Sequence, residues 1–352
     1  MDSRIPVTII TGFLGAGKTT LLNQLIKDHP QKKFAIIENE FGEIGIDGGL
    51  IVGTDENIFE LSNGCICCSL SEGFYETITK LLDSPHPFNH LLIETTGIAD
   101  PDSIIKAFLS MEVIQMNFRL DSVICLADCA NMEDLIDEQP EVRKQLALAD
   151  VVLLNKADTI QENYLKKLQA VIIGINSTAT IYPVEFANLS GVDLLDLKAF
   201  SARTIEKSSM SFQNLSIVGD AIDPQPSLLS KPIVHSTKHH HEHQHDIKSF
   251  GFKIPGSFDM MKFDIWMESF LYFNQDTVFR VKGILSFDNV PEKGIFQAVR
   301  SNYMIEAGEK WGTEARFSIL IFIGKELNQK MLDENLCQLL AKPVEAIKSE
   351  AG

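Results

Sequence analysis

The chain reads as an α/β protein: a mostly parallel sheet with helices on both faces, followed by a smaller C-terminal α+β domain. Three observations predict this. Apolar runs near Val7, Phe34, Leu91, Val123, Val151 and Ile181 alternate with stretches of helical spacing, the pattern of strands joined by crossover helices. Their aliphatic and β-branched content suits strands buried on both sides. After a stretch mixing serine, proline and short apolar groups, clear periodicity returns at Ile247. At 352 residues the chain exceeds one usual core. The expected division is a first domain over 1–200, a linker over 201–246 and a second domain over 247–345.

The first strand, Val7-Thr8-Ile9-Ile10, leads into Gly12-Phe13-Leu14-Gly15-Ala16-Gly17-Lys18-Thr19, with Leu21, Leu22, Leu25 and Ile26 following at helical spacing. This matches G-x-x-x-x-G-K-[ST] in the strand–loop–helix setting that the P-loop nucleotide-binding fold requires. Gly12, Gly15 and Gly17 let backbone amides and a helix N-terminus face phosphates without a Cβ in the way. Lys18 adds a point charge at the β/γ-phosphates and the Thr19 hydroxyl is placed to ligate Mg²⁺. The nucleotide set at this loop is Gly12, Gly15, Ala16, Gly17, Lys18, Thr19 and Thr20.

The next strand, Phe34-Ala35-Ile36-Ile37, runs into Glu38-Asn39-Glu40-Phe41-Gly42-Glu43, where such proteins keep a first switch segment. Cys65, Cys67 and Cys68 lie between the turn signal Ser62-Asn63-Gly64 and a helix whose apolar positions are Phe74, Ile78, Leu81 and Leu82. Successive strand residues point opposite ways, so the three sulfurs converge only in a loop. A helix N-terminus just downstream favours thiolates, which suit a soft or borderline metal. Three sulfurs leave one tetrahedral position for a carboxylate such as Glu38 or Glu43, or for an outside ligand. A redox pair or buried structural cysteines is the plainer alternative.

Leu91-Leu92-Ile93-Glu94-Thr95-Thr96-Gly97 is an apolar strand ending in a carboxylate and a glycine. Glu94 there would orient the Mg²⁺ shell or the attacking water, and Gly97 would let a switch loop approach the γ-phosphate. Asp100-Pro101-Asp102-Ser103 reads as a helix start. Val151-Val152-Leu153-Leu154 then delivers Asn155, Lys156 and Asp158 to a strand's carboxyl end, where open α/β sheets bind ligands. A carboxylate there accepts from guanine N1–H and its 2-amino group together. Adenine has no such donor pair, so the pattern selects GTP over ATP.

His239, His240, His241, His243 and His245, with His235 nearby, gather six of the nine histidines between His235 and His245. Neutral imidazoles suit Zn²⁺, Co²⁺ and Ni²⁺, and without fixed helical spacing the run reads as a collecting segment, not a catalytic centre. Beyond it the pattern predicts a strand near Phe250–Ile254, a helix near Met260–Phe273, strands near Val278–Phe287, Gly294–Val299 and Phe317–Phe322, and a last helix near Gln329–Leu340. Trp266 and Trp311 mark either a docking surface or, more commonly for a lone Trp, internal packing. A net charge of −17 argues against nucleic acid or an anionic membrane as partner. Six cysteines, three of them clustered, suit a metal set in a reducing cytoplasm. The Val7–Ile10 run is too short for a signal peptide, and no apolar run is long enough to span a bilayer.

These motifs together resemble the CobW-type metallochaperone GTPases, relatives of the nickel-insertion GTPases of urease and hydrogenase maturation. The likeness rests on the P-loop, Glu38 to Glu43, Cys65-Ile66-Cys67-Cys68, Glu94 to Pro101, Asn155 to Asp158, and Arg280-Val281-Lys282-Gly283 and Leu320-Ile321-Phe322-Ile323-Gly324 in the C-terminal region. It implies a GTPase that binds Mg²⁺·GTP and a transition metal, with zinc first and cobalt or nickel as alternatives, and passes the metal to a client metalloprotein. It also implies that the C-terminal domain docks the client or transmits the switch. Two rivals stand beside it: a nucleotide-responsive zinc buffer or sensor, and a small-molecule P-loop kinase, which Asn155 to Asp158 disfavours.

Overall fold

A computed structural model describes residues 3–40, 58–64, 70–98, 100–188, 191–199, 201–210, 215–218 and 247–343. Seven strands form the first sheet: β1 (Ile5–Gly12), β2 (Phe34–Glu40), β3 (Ile58–Gly64), β4 (His90–Glu94), β5 (Phe118–Asp128), β6 (Val151–Asn155) and β7 (Thr180–Pro183), in the order β3-β2-β4-β1-β5-β6-β7. All its pairings are parallel. Consecutive parallel strands need crossovers, so helices cover both faces. On one face α1 (Lys18–Asp28) sets Leu21, Leu22 and Leu25 against Ile10, Ile36 and Leu92.

The other face receives α2 (Leu70–Leu82), α3 (Asp102–Ser110), α4 (Glu112–Asn117), α5 (Met132–Glu138), α6 (Pro140–Leu148) and α7 (Glu162–Ile175), through Phe74, Phe108, Ile114, Ile136, Leu146 and Ile172. Pro140 opens α6 at a position where its missing N–H costs nothing. Pro101 sits at the N-cap of α3 with Asp102 in the first turn, close to the start read from sequence.

After α8 (Ala202–Met210), a second sheet of six strands follows: β8 (Leu215–Ile217), β9 (Lys248–Pro255), β10 (Val278–Leu285), β11 (Glu292–Val299), β12 (Asn302–Lys310) and β13 (Phe317–Gly324), in the order β12-β11-β10-β13-β9-β8. Its outer face carries α9 (Met260–Phe273) and α10 (Gln329–Gln338), whose Phe263, Met267, Leu332 and Leu336 meet Phe252, Val281, Phe296 and Phe322. Its inner face is covered by the first domain. Phe279, Val299 and Ile323 join the first domain's core, while Ile205 of α8 packs with Ile284, Ile295 and Trp311.

Several elements depart from the sequence reading. Ser62-Asn63-Gly64, expected as a turn, completes β3, an edge strand paired to β2 along its length. α8 and β8 fall in the expected linker, the helix held by Ile205 and the strand by parallel pairing to β9. β12 was not anticipated, because an edge strand that is half solvated lacks an apolar run. Trp311 is buried and Trp266 stacks on Phe270 at 4.9 Å between ring centroids, so both serve packing. Among the described residues no helix is long and apolar enough to cross a membrane.

A buried ion cluster joins the two sheets. Arg280 and Lys282, two apart on β10 and so on one face, both meet Asp150 Oδ1, Arg280 at 2.7 Å. Arg280 also donates to the Leu148 carbonyl, and Asp150 Oδ2 accepts from the Val123 amide at 2.9 Å. Burial pushes the Asp150 carboxyl up, but Arg280 and Lys282 overcome it and hold the group below its ordinary value. Around this cluster Ser249 donates to the Ile175 carbonyl at 3.1 Å and Arg4 pairs with Glu306 at 2.9 Å.

Removing one partner of such a cluster leaves charge buried and uncompensated. Asp150→Asn should therefore lower the unfolding free energy in urea by about 3–5 kcal/mol at neutral pH. The lowered folded pKa means this contribution is complete above the ordinary carboxylate value of 3.8 and fades as pH falls below it. The gap between wild type and variant should thus narrow in acid; an equal gap at every pH would show that the Asp150 charge is not its source.

Candidate nucleotide site

The loop after β1 is built by glycines, all three in backbone conformations that L side chains rarely adopt. Gly12, Gly15 and Gly17 have φ of 138°, 74° and 103°. A Cβ on Gly12 would lie 2.2 Å from the Leu126 carbonyl oxygen, and one on Gly17 2.6 Å from Asn155 Nδ2. The loop is tightened by the Ala16 amide donating to the Phe13 carbonyl at 3.2 Å, and Ala16 itself is buried. Gly17 caps α1, so the helix N-terminus opens into the loop. Such a concavity of amides is an anion cradle.

Lys18 reaches back across this loop, its Nζ donating to the Gly12 carbonyl at 3.0 Å and more weakly to that of Phe13 at 3.4 Å. Burial lowers its pKa, opposed by the charge of Glu94. Thr19 Oγ1 donates to Glu94 Oε1 at 3.1 Å, which puts the two oxygens expected around Mg²⁺ side by side. Thr20 is exposed on the first turn of α1. Buried positive charge, a helix N-terminus and a hydroxyl–carboxylate pair are the kind of groups that a Mg²⁺-bound polyphosphate needs. The buried Thr96 hydroxyl has no hydrogen-bond partner among the described residues, a further polar atom at this edge.

The strand ends converge here. Glu94 is in register with Ile10 of β1 on one side and Glu38 of β2 on the other. Glu40 of β2 is in register with Gly64 of β3, the residue immediately before Cys65. Thr95, next after Glu94, is tied to β1 twice: its amide donates to the Ile10 carbonyl at 2.9 Å and its hydroxyl to that of Thr11 at 3.0 Å.

On the other side of β1, β6 delivers Asn155, Lys156 and Asp158. Asn155 is buried and acts as a staple: Nδ2 donates to the Ala16 carbonyl at 2.8 Å and Oδ1 accepts from the Ala187 amide at 2.9 Å. It thus joins the phosphate loop to the loop after β7, a role the sequence reading did not separate from base choice. Lys156, at φ 59°, pairs with Asp128 at 2.7 Å, and Asp158 is exposed in a short 3₁₀ turn (Ala157–Thr159). A cavity of about 570 Å³ lined by Ala157, Pro183, Phe186 and Asn188 opens beside that turn.

Asp128, Phe186 and Ala187 were missed from sequence. Asp128 ends β5 beside Asn155 of β6, so position at a strand's carboxyl end was its available signal. The left-handed Phe186 and Ala187, with φ of 50° and 56°, carry none. Glu43, Cys65, Cys67, Cys68, His239, His240, His241, His243 and His245 lie outside the described residues, and Glu38 is placed by its backbone alone. Among the described residues no group of three or more His, Cys, Asp or Glu could hold a metal. Burial pushes the thiols of Cys125 and Cys129 up, to about 12 and about 11, which makes them structural groups and not ready thiolates.

Comparison with known proteins agrees with this geometry. Residues 6–183 match the CobW/HypB/UreG nucleotide-binding domain, and residues 247–340 match the cobalamin synthesis protein cobW C-terminal domain. The Escherichia coli protein named zinc chaperone YjiA is 33% identical over 330 residues, spanning 93% of this chain and 96% of that one. A Schizosaccharomyces pombe protein named zinc-regulated GTPase metalloprotein activator 1 is 30% identical over 326 residues, spanning 86% and 76%. The crystal structure of Zn(II)-bound YjiA GTPase superimposes with a TM-score of 0.65 at 28% identity, over 96% of this chain and 99% of that chain. With its glycine cradle, its stapled Asn155 loop and its second mixed sheet, the chain belongs to the CobW/HypB/UreG family of P-loop proteins.

Proposed function

We propose that this chain is a GTP-hydrolysing metallochaperone that binds a transition metal, zinc first, at Cys65, Cys67 and Cys68 and passes it to a client metalloprotein. The supporting observation is the strand register. β2 ends between the strand that leads into Cys65 and the strand that ends in Glu94, so one sheet edge carries both the approach to the thiolates and the phosphate-facing carboxylate. A change at the terminal phosphate can therefore reshape the metal shell through Glu38, Glu43 and their neighbours. The relatives named as zinc chaperones and as a zinc-regulated GTPase metalloprotein activator favour zinc as cargo.

In this reading the P-loop amides and Lys18 hold the β- and γ-phosphates, Thr19 ligates Mg²⁺, and Glu94 orients the ion's shell or the attacking water. Mg²⁺ supplies charge neutralisation at the transferring phosphoryl group. Asp158 accepts from the guanine edge, while Asn155 keeps the base loop and the phosphate loop in fixed relation. The histidine run from His239 to His245 collects metal. A client metalloprotein is the partner.

Nucleotide-dependent metal affinity is the decisive measurement. Titrating Zn²⁺, Co²⁺ and Ni²⁺ against a competing chelator, with GDP or a slowly hydrolysed GTP analogue bound, should give affinities that differ at least about fivefold between the two states. Equal affinities would remove the coupling between nucleotide state and metal shell. Lys18→Ala should abolish transfer to a client while leaving zinc storage intact. Glu94→Gln should lower kcat for phosphate release from GTP by about a hundredfold with little change in KM; a KM effect alone would reassign Glu94 to binding.

A further inference from the structure

The segment that follows Glu94 is gripped from two sides. Gly97 packs on the phosphate loop so closely that a Cβ would lie 2.5 Å from the Leu14 amide nitrogen, and its carbonyl accepts from Gln145 at 3.2 Å. Three and five residues later, Asp100 and Asp102 face the C-terminal domain. There Arg300, at the tip of the β11–β12 hairpin, donates from Nε to Asp102 Oδ2 at 3.1 Å and lies 3.7 Å from Asp100 Oδ2.

Arg300 is held in place before it meets those acids. It has φ 56° at the hairpin, its guanidinium lies over the Phe279 ring at 4.0 Å from the centroid, and NH1 donates to the Gln275 carbonyl at 3.3 Å. Its side chain is 9% exposed. A planar guanidinium stacked and pinned this way is a rigid contact, unlike a surface ion pair. Lys144 of α6 and Lys106 of α3 complete the network, each 3.3 Å from Asp100 and Asp102 respectively. A cleft of about 380 Å³ beside it, lined in part by Asp276 and Lys325, leaves these groups room to shift.

We propose that Arg300 is a positioning residue for the phosphate-facing segment, carrying the nucleotide state of the P-loop into the C-terminal sheet. The inference rests on the nucleotide-switch reading above. When Gly97 and its neighbours move with the terminal phosphate, Asp100 and Asp102 move with them, and the β11–β12 hairpin is displaced through Arg300. Linkage makes the effect reciprocal: whatever engages the C-terminal sheet biases the segment that carries Glu94.

Hydrogen–deuterium exchange on the full chain tests this, comparing residues 296–303 with GDP and with a slowly hydrolysed GTP analogue bound. The wild type should show exchange at the hairpin that differs between the two states. Arg300→Met, which keeps the stem over Phe279 and removes the charge, should erase that difference while GDP affinity stays within about twofold. Its kcat should fall about tenfold with KM little changed, the mark of a misplaced catalytic group, and Arg300→Lys should recover part of both. A nucleotide-dependent hairpin in Arg300→Met equal to that of wild type overturns the inference. So does rapid hairpin exchange in both states of that variant, which would mean Arg300 merely folds the turn. A wild type that binds both nucleotides with no hairpin response sinks this inference alone, whereas one that binds neither sinks the GTPase reading with it.

Discussion

A parallel sheet buried on both faces has one region where polar chemistry can be assembled at low cost: its carboxyl edge, where strands stop and helix N-termini begin. The candidate nucleotide site is organised by that constraint. β1 runs out into the glycine loop, β4 into Glu94, β6 into Asn155 and Lys156, and β2 and β3 into the glutamate and cysteine segments. Along the strands themselves the residues are aliphatic because each must meet a helix on one face or the other.

At that edge, close approach is obtained by removing side chains and then restored by single polar staples. Gly12 and Gly17 admit backbone and Asn155 where any Cβ would collide. Asn155 converts that proximity into two hydrogen bonds, one to each flanking loop. Thr95 does the same between β4 and β1. The site is thereby pre-organised: the groups that would meet a nucleotide are positioned by interactions with the rest of the protein, which lowers the ordering cost on binding.

The second sheet is joined to the first by charge as well as by apolar contact. Asp150 anchors Arg280 and Lys282 one strand-length upstream of Asn155, and Arg300 meets Asp100 and Asp102 just downstream of Glu94. Buried charges of this kind contribute little net stability compared with apolar residues of similar size, but they tolerate few alternative arrangements. They tie the C-terminal sheet to the strands that carry the site.

Much of this was legible in the amino-acid order alone. The glycine pattern, the apolar strand before it and the Asn-Lys-x-Asp element after β6 are local signals, because each depends on steric or hydrogen-bonding demands within a few residues. The same holds for β9, α9, β10, β11, β13 and α10, whose periodicity marks them directly. Edge strand β12 escaped because a half-solvated strand lacks an apolar run, β3 because its last residues, Ser62-Asn63-Gly64, carry a turn signal, and β8 because three residues are too few to show a period. Only the tertiary structure decided that Asn155 serves two loops, that Asp150 holds two cations from a strand far along the chain, and that Arg300 reaches the segment after Glu94. Those pairings join residues that are remote in sequence and carry no local pattern, so they exist only once the sheets have packed.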